Sequence, residues 1–291
     1  VSAITVSIMP MMILLSVGAL IGSWIISGTV PAMIYYGVAL LDPGVFYAAS
    51  AVICALASLS LGSSWTVAGT LGVGLMGIAN TYSLSPAVTA GAVISGAYFG
   101  DKLSPLSDTT NLAAAAVGVD LFEHIKNMLW TTLPAFIAAL CVFTLIGSEG
   151  ASTPENIASI RAALDAQFTI SPFVLSPLVL MLGLIYWRVP AYPAILICTL
   201  AGTLLAAGLQ SDVVRELATA THPDSPAPLI QGLWMALFSG YRSPEGMGEL
   251  SKLLDKGGLA SMLNTIFLIL TAMTFGGMLD STGILRQLLD V

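Results

Sequence analysis

Apolar runs separated by short polar stretches dominate the sequence. Of its 291 residues, 56% are hydrophobic and only 9% are charged. A soluble domain carries about 25% charged residues, so this chain has too few charged residues to cover a water-exposed surface. Several of the runs approach the roughly 20 residues that an α-helix needs to cross a bilayer. The sequence therefore predicts an all-α polytopic membrane protein with the lipid bilayer as its main surroundings.

Charge and cysteine usage exclude several kinds of partner. The net charge is −7, which argues against nucleic acid and anionic lipid as partners. All three cysteines lie inside apolar runs, and the two histidines lack metal-ligand spacing. Neither a disulfide framework nor a transition-metal site is predicted, and we expect no cofactor.

The order of the apolar runs divides the chain into three segments. Residues 1–209 are predicted to form a first transmembrane repeat with a following helical pair. Residues 210–256 form a polar, interfacial connection outside the cytoplasm, and residues 257–291 start a second repeat. A faint internal similarity that aligns Gly22 with Gly277 suggests this second repeat. Lysine and arginine in short connections favour the cytoplasmic side, and this gives the two repeats opposite orientations, an inverted-repeat arrangement.

Two early apolar runs have polar interruptions. The first run, 3–36, is interrupted at 27–31, where Pro31 cannot donate a helical hydrogen bond. This predicts a kink or a second bent element beside a site. The second interruption, 62–66, separates two short apolar arms and predicts a re-entrant hairpin at about 45–79. Irregular backbone at that depth must be buried in protein or line a cavity, and the glycines of the second arm favour close helix packing.

A third polar stretch, at residues 96–111, lies between apolar runs at 87–97 and 112–119. Polar residues inside a membrane are paired and functional, or else the stretch is excluded from the bilayer. The two flanking runs are short halves of one span, so we expect a transmembrane helix, about 87–119, broken at Pro105. Proline removes the helical partner of the carbonyl oxygen four residues earlier, which belongs to Asp101.

The polar side chains of this broken helix are predicted to bind a small cation. Carboxylate, hydroxyl and amide oxygens suit hard cations rather than soft metals. Four residues have the spacing of one helix face: Asp101, Ser104, Asp108 and Asn111. The full set of predicted cation and proton ligands is Asp101, Ser104, Ser107, Asp108, Thr109, Thr110 and Asn111. Expected contacts from the other interrupted elements are Ser63, Ser64, Thr66, Ser27 and Thr29.

Ionising both the Asp101 and the Asp108 carboxylates in a low-dielectric site would cost a large amount of free energy, because they are close together. Desolvation and a neighbouring like charge raise the pKa of a carboxyl group, and a bound cation lowers it. Asp101 and Asp108 are therefore expected to hold a proton or to share Na⁺, which is a physical basis for exchanging the two ions. Lys102 is the expected charge partner, able to neutralise one carboxylate or to reach water.

These residues resemble the signature of the NhaC family of Na⁺/H⁺ antiporters. The resemblance implies a multi-pass inner-membrane secondary transporter that moves Na⁺ and H⁺ by alternating access, with inverted repeats and paired broken helices; a homodimer is compatible with it. The family's later block, an acidic, hydroxyl-rich motif with a Pro-Trp-Asn core, is absent. We therefore expect a truncated chain, with the partner half of the site beyond Val291. The matching blocks are 91–113, 28–37, 62–66, 120–125 and, more weakly, 275–277.

Other functions remain open at this point. Similar proteins include exchangers that couple Na⁺ and H⁺ to malate and lactate, but such a site needs an anion-binding group and no arginine occurs in residues 1–160. An intramembrane aspartyl protease needs two carboxylates from separate helices sharing one proton, whereas both aspartates here lie in one broken segment. An ion channel is a further alternative. The preference among Na⁺, Li⁺ and K⁺ is also open.

Overall fold

The computed structural model of the chain describes residues 2–105, 107, 109–110, 113–114, 118–147, 154–187, 189–243, 251, 254–255 and 257–282. Three short 3₁₀ turns, at Pro43–Val45, Pro172–Leu175 and Leu259–Met262, accompany its α-helices. The helices are α1 Ser2–Ile26, α2 Thr29–Leu40, α3 Phe46–Leu61, α4 Ser64–Gly69, α5 Leu71–Thr81, α6 Pro86–Leu103, α7 Leu121–Gly147, α8 Pro154–Gln167, α9 Ser176–Tyr186, α10 Ala191–Leu209, α11 Ser211–Thr221, α12 Pro228–Ser239 and α13 Leu263–Ser281.

Membrane-crossing helices confirm the predicted class of polytopic membrane protein. Within the described residues, three segments are long and apolar enough to span a bilayer: α7, Tyr192–Leu209 of α10, and Leu259–Leu279, which contains most of α13. Two bent helix pairs, α1–α2 and α8–α9, raise the number to as many as five if each pair is one span. The spanning windows of α7 and α13 are not covered by other parts of the described chain.

The interruption of the first apolar run is a sharp bend between α1 and α2. The two helices meet at 70°, and Gly28 between them has φ +81°, a left-handed conformation that residues with a side chain rarely adopt. Pro31 lies in the first turn of α2, where backbone N–H groups have no helical acceptor in any case. The bend is therefore made at Gly28, whereas the sequence argument rested on Pro31.

Helix α3 lies very close to α6, and this sets the position of the next turn. A β-carbon on Gly96 would lie 2.0 Å from the carbonyl oxygen of Ala51, and one on Gly100 would lie 2.3 Å from that of Ala55. Small residues allow such close approach of helix backbones. α3 is capped at its C-terminal end by Gly62, and the short α4 begins two residues later at Ser64. The turn is thereby held beside the C-terminal end of α6.

The glycines of α5 allow similarly close contacts, as their spacing predicted. A β-carbon on Gly74 would lie 2.3 Å from Cε of Met33, and one on Gly77 would lie 2.5 Å from Cδ1 of Ile34, both on α2. A side chain at either position would require Met33 or Ile34 to move. The α3–α4–α5 segment is therefore packed between α2 and α6.

Helices occupy parts of two polar segments. α8 lies within the polar stretch 147–170, and α11 lies in the predicted polar connection 210–256. α11 buries one face, with Val214 and Ala218 fully buried, and keeps polar residues on the other. Polar composition concealed this helical spacing. The 12-residue α12 in the same connection is about 18 Å long, too short to cross a bilayer.

Candidate functional site

The predicted cation site is organised around Asp101, in the last turn of α6. Asp101 is 7% exposed, and its carboxylate oxygen Oδ2 accepts a 2.9 Å hydrogen bond from Oγ of Ser64. Ser64 is the first residue of α4 and is also buried. The structure thus brings the turn between α3 and α4 to the broken end of α6, two stretches that are 37 residues apart in the sequence.

The helix break leaves the carbonyl oxygen of Asp101 without a normal helical partner, because Pro105 has no N–H. Two other donors replace it. The N–H of Ser104 lies 3.2 Å from this oxygen, and the hydroxyl of Thr110 lies 3.1 Å from it and 3.2 Å from the carbonyl oxygen of Lys102. The carbonyl that the sequence predicted to be unpaired is therefore hydrogen-bonded in this conformation.

Other predicted ligands after the break are largely buried. Ser104 and Ser107 are fully buried and Thr110 is 4% exposed, whereas Thr109 is exposed. The hydroxyl of Ser107 lies 2.9 Å from that of Thr109 and accepts from the N–H of Thr110 at 3.3 Å. Burial of hydroxyl groups is costly without such partners. A buried cluster of oxygen atoms therefore follows the carboxylate of Asp101.

Two predicted ligands, Asp108 and Asn111, lie outside the described residues. The predicted competition between the carboxylates of Asp101 and Asp108 therefore stays a prediction.

The remaining hydroxyls of the α3–α4 turn hold the turn itself. Oγ of Ser63 accepts a hydrogen bond from the N–H of Thr66 at 3.3 Å and from the Thr66 hydroxyl at 2.9 Å. This is a helix N-cap, which satisfies a backbone donor that would otherwise lack a partner. Ser63 and Thr66 thus fix the start of α4, and the start of α4 orients Ser64 toward Asp101.

The structure places Ser27 and Thr29 in a different contact. Their hydroxyls lie 2.8 Å apart, the Thr29 hydroxyl donates to the carbonyl oxygen of Val174 at 2.8 Å, and that of Ser27 donates to the carbonyl of Trp24 at 3.2 Å. Both residues are fully buried. They join the α1–α2 bend to the 3₁₀ turn Pro172–Leu175, whereas the turn that reaches Asp101 is the one before α4.

Lys102, the predicted charge partner, is exposed on the α7 side of α6. It lines a cleft of about 210 Å³ together with Phe99 and Phe136, whose stacked rings are 4.1 Å apart between centroids. Its side chain is therefore separate from the buried contact between Ser64 and Asp101.

One buried hydroxyl close to this site was not predicted. Ser58, on α3, is fully buried and lies against Gly100, the residue before Asp101. The available signal was weak, because Ser58 is one of three serines in the largely apolar run 46–61.

Known proteins resemble the chain over most or all of its length. The sequence model of the Na⁺/H⁺ antiporter family matches residues 96–291. The Na⁺/H⁺ antiporter NhaC of Alkalihalophilus pseudofirmus is 38% identical over 294 aligned residues, which cover 100% of this chain and 60% of that protein. The malate-2H⁺/Na⁺-lactate antiporter of Bacillus subtilis is 34% identical, with 96% of this chain and 57% of the relative covered. The arginine/ornithine antiporter ArcD of Halobacterium salinarum is also 34% identical, with 94% and 54% covered.

The chain thus spans a little over half the length of these curated relatives. No solved structure matches it. The relatives are named as antiporters, which excludes the protease alternative and confirms the resemblance inferred from residues 91–113. The chain belongs to the Na⁺/H⁺ antiporter family.

Proposed function

We propose that the chain carries the first half of the ion site of a secondary transporter that exchanges Na⁺ for H⁺ across the inner membrane. The observation that supports it best is the hydrogen bond from Ser64 to the buried carboxylate of Asp101. It brings a carboxylate and neutral oxygen atoms together at the junction of two interrupted elements. Such junctions are where secondary transporters bind their coupling ions.

Exchange follows from the cost of a buried, uncompensated charge. An ionised Asp101 without a nearby cation would be strongly unfavourable in this surrounding. The carboxylate therefore binds Na⁺ or takes up a proton, and each ion displaces the other. Hydroxyls of Ser64, Ser104, Ser107, Thr109 and Thr110 would serve as neutral ligands, and Asp108 and Asn111 would complete this half of the site.

The proposed architecture has a re-entrant hairpin at about 45–79 and a broken helix at about 87–119 in a first repeat, 1–209. An inverted second repeat starts in 257–291, after the connection 210–256. One feature supports the repeat: α1 ends four residues after Gly22, and α13 ends four residues after the aligned Gly277. Alternating access would then move one repeat against the other around the site.

Replacing Asp101 with Asn tests the proposal, because Asn is similar in size but cannot carry the exchanged proton or the negative charge. We expect Asp101→Asn to abolish uptake of radioactive Na⁺ driven by an imposed pH gradient in membrane vesicles, and Asp108→Asn to do the same. Asp120→Asn is the matched control. Asp120 is exposed and caps the start of α7 by accepting from backbone N–H groups, a role that Asn also fills. Normal uptake in Asp101→Asn would refute the proposal.

Exchange of carboxylates coupled to Na⁺ or H⁺ is a second candidate, favoured by the 34% identity to the malate-2H⁺/Na⁺-lactate antiporter. Its anion-binding group could be Arg242. That residue lines a cavity of about 690 Å³ together with Tyr241, Ser239 and Ser261.

A further inference from the structure

An unpaired hydroxyl lies close to the proposed cation site. Ser58, four residues before the end of α3 at Gly62, is 0% exposed. Its Oγ has no hydrogen-bond partner in the part of the chain that the structure describes. Buried polar atoms are nearly always paired in native proteins, so an unpaired one calls for an explanation such as a bound ion or water.

Ser58 faces the end of α6 that carries Asp101. A β-carbon on Gly100 would lie 2.8 Å from the side chain of Ser58, and Gly100 is the residue before Asp101. Six residues after Ser58, the same turn supplies Ser64, whose hydroxyl donates to the Asp101 carboxylate. The α3–α4 segment therefore approaches the end of α6 with two hydroxyls, one of them already bonded to the carboxylate.

We propose that Ser58 is a further ligand of the transported cation, supplying a neutral hydroxyl oxygen from α3. This proposal rests on the proposed function. A serine hydroxyl has two acceptor lone pairs, and such hard oxygen atoms suit Na⁺. Na⁺ bound at Asp101 would then take its oxygen ligands from α3, α4 and α6 together. A protonated Asp101 carboxyl needs no such ligand. The Ser58 hydroxyl would therefore strengthen the binding of Na⁺ at Asp101 relative to the binding of H⁺.

The test is Ser58→Ala, with Ser50→Ala as its matched control. Ser50 lies on the same helix, is also 0% exposed and also has an unpaired hydroxyl. It lies two turns away from Ser58, about 12 Å along the helix axis. Removing either hydroxyl changes the volume and the burial of α3 in the same way, but only Ser58 is next to the site.

We expect Ser58→Ala to raise the Na⁺ concentration for half-maximal exchange by about tenfold, the effect of losing one hydrogen-bond-sized interaction with an ion. The ratio of Li⁺ to Na⁺ affinity should change too, because the two ions differ in size. Ser50→Ala should keep both values of the unaltered protein. Measurements would use the purified protein in proteoliposomes with an imposed pH gradient.

Each other outcome has a definite meaning. Equal Na⁺ dependence in Ser58→Ala and Ser50→Ala would overturn the assignment of Ser58 while leaving the proposed function intact, provided that Asp101→Asn abolishes exchange in the same vesicles. Exchange that survives Asp101→Asn would instead refute the proposed function. A lower melting temperature of Ser58→Ala in Na⁺-free buffer would show that its hydroxyl is paired within the protein, and this would also overturn the assignment.

Discussion

Asp101 combines a buried carboxylate with a neutral donor on Oδ2, the hydroxyl of Ser64. A neutral hydroxyl stabilises a carboxylate much less than a positive charge would. The site therefore leaves most of the negative charge to be balanced by whatever binds there. In the proposed function, this is the property of the residue that would let Na⁺ and H⁺ replace each other.

Tyr82 supports a different prediction at the scale of single residues. Its buried hydroxyl donates to the carbonyl oxygens of Val38 and Leu41, each at 2.6 Å. These bonds tie the end of α5 to the end of α2. Tyr82→Phe leaves both carbonyls without this donor, and we expect a loss of about 1–3 kcal/mol in stability, measurable as a lower melting temperature in detergent.

The same residue should make stability depend on alkaline pH. Burial, and then the negative charge of Asp42, raise the pKa of Tyr82 above its usual value. The neutral phenol is favoured in the folded protein, so this contribution is complete below the unfolded-state pKa of about 10 and is lost as pH rises through the higher folded-state pKa. Melting temperatures above pH 10 should fall less in Tyr82→Phe than in the unaltered protein. A parallel fall in both would contradict the assignment.

Polar side chains in apolar runs could be found from the sequence, but their partners could not. The requirement that buried polar groups be paired predicted that the Ser63–Ser64 turn would approach the broken helix. The same argument applied equally to Ser27 and Thr29, whose hydroxyls instead donate to the backbone carbonyls of Trp24 and of Val174, the latter 145 residues away. A sequence does not distinguish a hydroxyl that bonds to a backbone carbonyl from one that reaches a carboxylate, because both are serines or threonines in apolar surroundings.

Contact between α3 and α6 is the feature at the scale of helices that holds the site together. Gly96→Ala would place a β-carbon 2.0 Å from the carbonyl oxygen of Ala51. This clash would force α3 and α6 apart and disturb the hydrogen bond between Ser64 and Asp101. We expect a loss of about 1–3 kcal/mol from overpacking and reduced exchange. Melting followed by tryptophan fluorescence would measure the first effect.

Gly91→Ala is the matched control on the same helix. A β-carbon at Gly91 has no neighbour within 4 Å, so the change should be neutral or stabilising by up to about 1 kcal/mol through helix propensity. If both alanine variants melted at the same temperature, the close approach of α3 and α6 would be wrong.

Helix bounds illustrate which elements a sequence encodes locally. The bend after α1 was expected at Pro31 but is made by the left-handed Gly28, because proline in the first turn of a helix loses no helical hydrogen bond. α11 was missed because burial of Val214 and Ala218 depends on neighbouring helices that polar composition does not reveal. The run of α7 is long and apolar enough to span a bilayer, a property that length and hydropathy alone define.

At the scale of the whole molecule, the substrate is the property that most needs measurement. Relatives at 34% identity are named for malate and lactate and for arginine and ornithine, so fold and family do not determine the transported substrate. We expect Na⁺/H⁺ exchange without organic acid. Vesicles loaded with unlabelled malate or lactate should take up no labelled malate or lactate by counterflow. Counterflow that Arg242→Gln abolishes would instead favour carboxylate exchange.

The Thr110 hydroxyl lies within hydrogen-bonding distance of two carbonyl oxygens in the last turn of α6, those of Asp101 and Lys102. The unpaired carbonyls of a helix end carry partial negative charge, and a donor that covers them reduces the potential that a cation would meet. Rotation about the χ1 torsion of Thr110 would withdraw its hydroxyl from both oxygens at once, while the oxygen of Asp101 would keep the N–H of Ser104. In the proposed function, this one torsion would change how strongly the end of α6 attracts an approaching cation.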